Sequence, residues 1–259
     1  MADAIRQAWW VLWYLAASPR RLEARRQVHL RRPTWTVLAL AAAWGQIQVA
    51  LCERTFHQTW QARLDWLVPA AVCAAAGTLL LYRRGALALL DALPGCRRPW
   101  LRWPGLIALT AALTAVLNYA VRRWNPDWPT HLPPGWQWLW PRALYRAILL
   151  APVWGGWAML VLGRFHRPTD RTDGPTRRLA EAVSPIGAAA GLAVPLAASL
   201  VYLNFAYPWH VVPPAAAVLA ALGGGTALVR LYGGLTRQAV LAANFLTQVA
   251  FLVSYLMVR

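Results

Sequence analysis

The sequence predicts an all-α integral membrane protein with about seven transmembrane helices. Two features of its composition favour this class: 59% of the 259 residues are hydrophobic, and only 14% are charged, about half the usual share for a soluble domain. The third observation is the arrangement of the apolar residues in runs close to the roughly 20 residues that a spanning helix requires. A soluble chain of this size needs more polar surface, so lipid is the expected solvent.

The basic N-terminal segment, residues 1–33, is expected to contain one interfacial helix and no cleaved signal peptide. Its apolar run, 8–17, is short and has no small-residue cleavage site. The run is rich in the amphipathic rings that favour the headgroup level of a bilayer: Trp9, Trp10, Trp13 and Tyr14. The rest of the chain, 34–259, is expected to form a single transmembrane helical domain.

Seven apolar runs follow one another in that domain. The predicted spans are Thr34–Cys52, Trp66–Tyr82, Pro104–Val121, Ala143–Gly163, Ala182–Tyr207, Val212–Val229 and Gln238–Val258. The second and third are short, and the fifth is long enough to tilt or to kink at Pro195.

The charges predict the orientation of these spans. All 26 basic residues are Arg. With seven spans and an inner N-terminus, 19 of them lie in the four inner segments, 1–33, 83–103, 164–181 and 230–237, and six lie outside. This bias predicts an N-in, C-out protein of the cytoplasmic (inner) membrane, whose Arg residues meet anionic lipids. Because the Arg residues lie between apolar runs, no nucleic-acid partner is expected.

The outer loop 122–142, RRWNPDWPTHLPPGWQWLWPR, is rich in Trp and Pro. Its prolines exclude a regular helix across the loop. The tryptophans predict either an aromatic belt at the membrane surface or a lid over a substrate entry.

Small and polar residues within the spans predict helix contacts and candidate sites. Gly187–Gly191 forms a GxxxG pattern, and Gly155-Gly156 also permits close packing. Intramembrane polar side chains are functional candidates by default. Arg146 either has such a role or reaches the outer interface, and Asn244 and Gln248, four residues apart, share one face of the last helix.

The cytoplasmic loop 164–181, RFHRPTDRTDGPTRRLAE, combines Arg with Asp. Guanidinium groups are suited to phosphate binding, and the candidates are Arg164, Arg167, Arg171, Arg177 and Arg178. Asp170 and Asp173 are candidate Mg²⁺ ligands, because Mg²⁺ prefers one or two carboxylates together with phosphate oxygens. The alternative is an ordinary solvated loop on the positive side of the membrane.

Two blocks of the C-terminal half resemble the adenosylcobinamide-GDP ribazoletransferase (cobalamin-phosphate synthase) family. They are 148–178, ILLAPVWGGWAMLVLGRFHRPTDRTDGPTRR, and 231–249, LYGGLTRQAVLAANFLTQV. The resemblance covers roughly 110 residues and implies a membrane enzyme of late cobalamin biosynthesis. It implies a Mg²⁺-dependent, phosphoryl-linked transfer at the cytoplasmic face, with a nucleotide-activated corrinoid as substrate.

The chain departs from the family pattern at its acidic positions. Gln238 stands where the family has Asp, Arg237 replaces the preceding Gly, and the Asp-rich motif of the first half is missing. An alternative is therefore a non-catalytic relative, a multispan membrane scaffold or a Yip-type protein. A small-solute transporter is a third hypothesis, but no internal repeat supports it. The sequence predicts no oligomeric state.

Overall fold

The computed structural model describes residues 2–16, 33–61, 67–93, 99–123, 143–202 and 208–258. Helices account for nearly all of these residues, and no strand occurs in these ranges. The predicted all-α class is therefore confirmed. The Trp-rich stretch 124–142, Cys96 and Asn204 lie outside the described residues.

Eleven α-helices occur in the described ranges. They are α1 (Ala2–Ala16), α2 (Pro33–Gln61), α3 (Leu67–Ala75), α4 (Arg83–Ala92), α5 (Arg102–Arg123), α6 (Ala143–Phe165), α7 (Gly174–Ala182), α8 (Pro185–Tyr202), α9 (Val212–Leu219), α10 (Gly225–Leu231) and α11 (Arg237–Val258). Two π-helical segments, Ala76–Leu81 and Ala220–Gly224, continue α3 and α9.

Five helices among the described residues are long and apolar enough to cross a membrane. They are Pro33–Cys52, Arg146–Phe165, Pro185–Tyr202, Trp209–Leu231 and Arg237–Val258. A sixth results if the bent pair Ala70–Leu81 and Arg83–Ala92 counts as one span. This supports a multi-pass architecture of five to six spans. The third predicted span, Pro104–Val121, falls in α5, which is helical throughout but is not one of these five, so the count of seven stays a prediction.

Two of the predicted spans have different boundaries in the structure. The second, Trp66–Tyr82, becomes the α3 helix and its π segment, and the chain then bends by 84° into α4. The predicted start of the fifth span at Ala182 is three residues early, because Ala182 ends α7 and α8 begins at Pro185. The Ser184 hydroxyl accepts a hydrogen bond from the Gly187 N–H at 2.9 Å, and Pro185 occupies the first helical position, where proline is favoured.

Helix α6 forms the centre of the bundle. Its span is 89% buried by other helices, whereas the span of α8 is 22% buried. Trp154 lies at its middle and is fully buried; its indole N–H donates to the Ser199 hydroxyl at 3.1 Å, and its ring stacks on Phe251. The α8 helix therefore lies at the periphery of the bundle, and α6 is enclosed by protein.

Glycines allow the helix backbones to approach closely, as expected for membrane helices. A Cβ atom at Gly45 of α2 would lie 2.5 Å from the Leu149 carbonyl oxygen of α6. The GxxxG pair Gly187 and Gly191 faces Thr34 of the same chain. This pattern therefore joins two helices of one protein molecule.

Candidate functional site

The four Arg-rich segments that the charge pattern places inside meet at one end of the bundle. The Tyr14 hydroxyl of α1 lies 2.8 Å from the Thr176 hydroxyl of α7. The Arg84 Nε of α4 donates to the carbonyl of Ala16 at 2.9 Å. The Tyr232 hydroxyl donates to the Ala88 carbonyl at 2.6 Å. These hydrogen bonds connect segments that are far apart in the sequence.

Arg237 lies at the centre of this end. Its side chain is 7% exposed. The guanidinium donates through Nε to the Tyr14 carbonyl at 2.9 Å and through Nη2 to the carbonyls of Trp13 and Tyr14. Its Cζ also lies 5.2 Å from the centre of the Tyr14 ring. The carbonyls at a helix C-terminus have no intrahelical donor and carry partial negative charge, so Arg237 and Arg84 together cap the C-terminus of α1.

Tyr14 also helps to hold the C-terminus of α1 against the bundle. Its side chain is completely buried, and burial, with the Asp173 carboxylate nearby, raises its pKa well above the ordinary value for tyrosine. The phenol therefore stays neutral and hydrogen-bonds to Thr176. The predicted interfacial helix is thus anchored by its C-terminal turn, whereas Ile5 and Trp9 are more than half exposed and can meet the headgroup layer.

Asp173 caps two helices at once. Its Oδ2 accepts the Thr176 N–H of α7 at 3.3 Å, and its Oδ1 accepts the Arg237 N–H at the start of α11 at 3.1 Å. A carboxylate is favoured at a helix N-terminus, where free N–H groups and the helix dipole attract negative charge. This carboxylate therefore joins the cytoplasmic loop to the last helix.

The loop also packs on the glycine turn before α11. Gly233 and Gly234 have φ angles of 71° and 142°, which residues other than glycine rarely adopt. A Cβ atom at Gly233 would lie 2.5 Å from the Arg171 Nη1, and one at Gly234 would lie 2.6 Å from the Thr169 hydroxyl oxygen. Because these glycines have no side chain, Arg171 and Thr169 can contact the backbone of the turn directly.

The predicted phosphate-binding arginines lie on the surface around this turn. Arg164, Arg167, Arg171 and Arg177 are exposed, and Arg178 is half-buried. The Arg177 Nη2 donates to the Thr169 carbonyl at 3.1 Å. The loop is ordered by Thr172, whose hydroxyl accepts the Thr169 N–H at 2.8 Å. These guanidinium groups form a cationic surface that an anionic ligand can reach.

The predicted magnesium ligands lie in different environments. Asp170 is exposed, and Asp173 is half-buried with a backbone N–H on each carboxylate oxygen. Within the described parts of the chain, no group of three or more His, Cys, Asp and Glu residues could hold a metal ion. A Mg²⁺ ion at this site would therefore rely on one or two carboxylates and on oxygens of its ligand.

The other predicted polar residues lie elsewhere in the bundle. Arg146 is 5% exposed, and its Nη1 donates to the Tyr202 carbonyl at the C-terminus of α8, 3.2 Å away. This contact is at the end opposite to Arg237. Gln248 donates to the Asn244 Oδ1 at 2.6 Å, so these two side chains do share one face of α11. Both are buried.

Arg237 is not among the site residues predicted from the sequence. One signal was available, because a cation in the first turn of a helix is disfavoured by the helix dipole. Such a residue requires a compensating partner, and the α1 carbonyls supply it. Every residue has a backbone carbonyl, so no pattern in the sequence shows which carbonyls bind Arg237.

No family model matches this chain, and no curated protein or solved structure is significantly similar to it. The resemblance to the ribazoletransferases therefore stays a prediction.

Substituting Asp173 by Ala is expected to destabilise the protein by about 1–4 kcal/mol, because two helix caps are lost at about 0.5–2 kcal/mol each. Asn has one acceptor oxygen and one NH₂ donor, so Asp173→Asn is expected to keep one of the two caps and to be of intermediate stability. Thermal unfolding in detergent measures both variants, with exposed Asp170→Ala as the control. Equal melting temperatures for Asp173→Ala and Asp170→Ala would contradict the double cap.

The stability of the protein is expected to depend on His166 below neutral pH. The ring Nε2 lies 3.3 Å from the Thr226 hydroxyl, and burial, with Arg230 nearby, lowers the pKa of His166 below its ordinary value of 6.5. The unfolded chain therefore binds the proton first as the pH falls. Stability should decrease from about pH 6.5 down to the lowered pKa of the folded state. His166→Gln should flatten this slope in melting curves recorded between pH 7 and 5, and an unchanged slope would contradict it.

Proposed function

We propose that this chain is a seven-span protein of the cytoplasmic membrane with its N-terminus inside and its C-terminus outside. The Arg bias supports this orientation. The contacts among the four Arg-rich segments support it independently, because they require these segments to lie at the same end of the bundle. The 84° bend before α4 fits a helix that lies along the inner surface after the second span, so that α5 becomes the third span.

We propose further that the Arg-rich end binds a phosphate-bearing substrate, as the resemblance to the ribazoletransferases implies. One observation carries this proposal: the two sequence blocks of the resemblance are in direct contact. Asp173 of the first block accepts the Arg237 N–H of the second, and Arg171 lies against Gly233. Residues that are about 60 positions apart thus form one surface, as a shared site requires.

The proposed chemistry is a Mg²⁺-dependent transfer of a phosphoryl-linked corrinoid from its nucleotide diphosphate to a hydroxyl of ribazole or its phosphate, with the P–O bond of the diphosphate broken and the nucleoside monophosphate released. Arg171 and Arg177 flank the glycine turn and are placed to neutralise the phosphates. Arg164, Arg167 and Arg178 extend the same cationic surface. Asp170 is exposed and free to meet a Mg²⁺ ion that a nucleotide diphosphate carries.

Purified protein in detergent tests this function directly. With Mg²⁺, activated corrinoid and ribazole phosphate, the expected result is a corrinoid product, and substitution of both Arg171 and Arg177 by Ala should reduce its formation at least about tenfold, as for the loss of a charge-assisted hydrogen bond. Exposed Arg54→Ala, on the distant half of α2, is the matched control. Absence of product beside an active family member would contradict the catalytic proposal.

A non-catalytic membrane scaffold is the second candidate function. The engagement of Asp173 favours it, because both carboxylate oxygens accept backbone N–H groups and so hold the fold together. In this case exposed Asp170→Asn leaves the protein unchanged in every assay, and Asp173→Asn lowers only its stability. Loss of Mg²⁺-dependent product formation in a stable Asp173→Asn or Asp170→Asn protein would exclude the scaffold.

A further inference from the structure

A cavity of about 50 Å³ lies between five helical segments in the middle of the bundle. It is partly open and is lined by α2, the α3 helix with its π segment, α5, α6 and α11. At 10–15 Å³ for each water position, it has room for about four water molecules or a chemical group of similar size. It is far from the Arg-rich surface, since its lining on α11 begins at Phe245, about 12 Å along the helix axis from Arg237.

Three uncharged polar side chains line the cavity among otherwise apolar walls. They are Gln48 of α2, Thr78 of the π segment and Gln248 of α11. All three are at most 8% exposed. The Thr78 hydroxyl also lies 2.7 Å from the Thr110 hydroxyl, and the Gln248 amide donates to the Asn244 Oδ1 at 2.6 Å. A mostly apolar pocket with a few convergent polar groups is the usual form of a small-molecule site.

The helices that line the cavity are irregular at this point. Gly77 and Thr78 belong to the π segment, and π segments within helices occur frequently at functional sites. Pro152 of α6 has no N–H, so the carbonyl of Ile148 loses its usual helical donor, and both residues line the cavity. Irregular backbone at membrane depth is tolerated where it lines a cavity. The bundle therefore departs from regular helices on two sides of the same space.

The absence of a side chain at Gly155 leaves room for the Gln248 side chain beside the cavity. A Cβ atom there would lie 2.6 Å from the Gln248 Cγ and 2.8 Å from its Nε2. Gly77 receives Gln48 in the same way, with its Nε2 at 3.2 Å from a Cβ at that position. Two glycines on different helices thus accommodate two amides that face a common cavity.

No charged side chain is among the residues that line this cavity. An ion would lack a compensating charge there, and charge is costly at membrane depth. The amides and the hydroxyl provide both hydrogen-bond donors and acceptors. We propose that the cavity binds the hydroxyl or carbonyl group of a small, uncharged, membrane-dissolved molecule. This site is independent of the phosphate-binding surface and does not rest on the proposed transferase activity.

Cys73 supplies a reporter, because its side chain lines the cavity. Cys52 is also a free, buried cysteine, but it is not among the residues that line the cavity. A protein that retains Cys73, with Cys52→Ala and Cys96→Ala, is reconstituted in bilayers of phosphatidylcholine. The probes are N-ethylmaleimide, which is uncharged, and a cationic methanethiosulfonate reagent. The matched control retains only Cys52.

Cys73 is expected to react with N-ethylmaleimide but not with the cationic reagent. Addition of 1-octanol should slow this labelling about three- to tenfold, the size expected for one hydrogen bond, and an equal mole fraction of octane should not. Gln48→Leu should abolish the protection while labelling continues. Gln46→Leu, on the same helix but outside the cavity lining, should retain it.

The source of the ligand is tested by replacing octanol with dioleoylglycerol, a lipid that carries a hydroxyl group. Protection by both assigns the site to a lipid headgroup, and protection by octanol alone assigns it to a small free molecule. Equal effects of octanol and octane, protection that survives Gln48→Leu, or absence of any Cys73 labelling would overturn the proposal.

Discussion

Replacement of Arg237 by Met is expected to release the N-terminal helix from the bundle. Met has a similar length but no hydrogen-bond donor, so the buried carbonyls of Trp13 and Tyr14 lose their partner. An unsatisfied buried polar group costs about 1–3 kcal/mol, so the loss of the donor to both carbonyls is expected to cost about 2–6 kcal/mol. Hydrogen–deuterium exchange measures the result directly, as faster exchange of the amides of α1.

The control for this experiment is Arg230→Met, a neighbouring exposed arginine at the end of α10. It removes the same charge from the same end of the bundle, so general effects of charge on exchange appear in both variants. Faster exchange in α1 is expected only for Arg237→Met. Unchanged exchange, or an equal change in both variants, would show that the guanidinium does not anchor this helix.

Gly45→Ala is expected to destabilise the bundle although alanine is the better helix former. The added Cβ would lie 2.5 Å from the Leu149 carbonyl oxygen and 3.0 Å from the Leu149 Cα. Backbone atoms cannot move aside as a side chain can, so α2 must shift away from α6. Overpacking of this kind costs about 1–3 kcal/mol, and Gly45→Leu should cost more. The measurement is the melting temperature in detergent.

Gly223→Ala is the matched control for this substitution. Gly223 is also helical, but a Cβ there would meet no atom within 4 Å. The alanine should therefore leave the melting temperature unchanged or raise it, because it lowers the entropy of the unfolded chain. A Gly45→Ala protein that is as stable as Gly223→Ala would refute the close contact between α2 and α6.

Much of the fold can be predicted from the sequence, because a membrane restricts the backbone conformations that can span it. An apolar run of sufficient length must form a helix in lipid, since every backbone group needs an internal partner. The breaks within the runs are harder to predict. The π segment Ala76–Leu81 and the bend at Tyr82 occur within a continuous apolar stretch and depend on packing. The Ser184-Pro185 pair is a helix start signal that the apolar pattern conceals.

The candidate site was predictable in part. The loop arginines and Asp173 are visible as exceptional polar residues beside apolar runs. The contact of Arg237 with the Tyr14 carbonyl joins residues 223 positions apart, and no local pattern encodes such a pairing. The cavity was equally hidden, because Gln48, Thr78 and Gln248 lie on separate helices and converge only in the folded bundle.

The accessibility of single cysteines from each side of the membrane tests whether the Arg-rich end of the bundle faces the cytoplasm. In a background without the native cysteines, cysteine is introduced at four exposed positions. Arg167 and Arg230 belong to the Arg-rich end, and Arg54 and Trp209 to the other end. A membrane-impermeant maleimide added outside intact cells should label only positions 54 and 209, and inside-out vesicles should give the reverse. Labelling of position 167 from outside, or of 167 and 230 from opposite sides, would contradict the account.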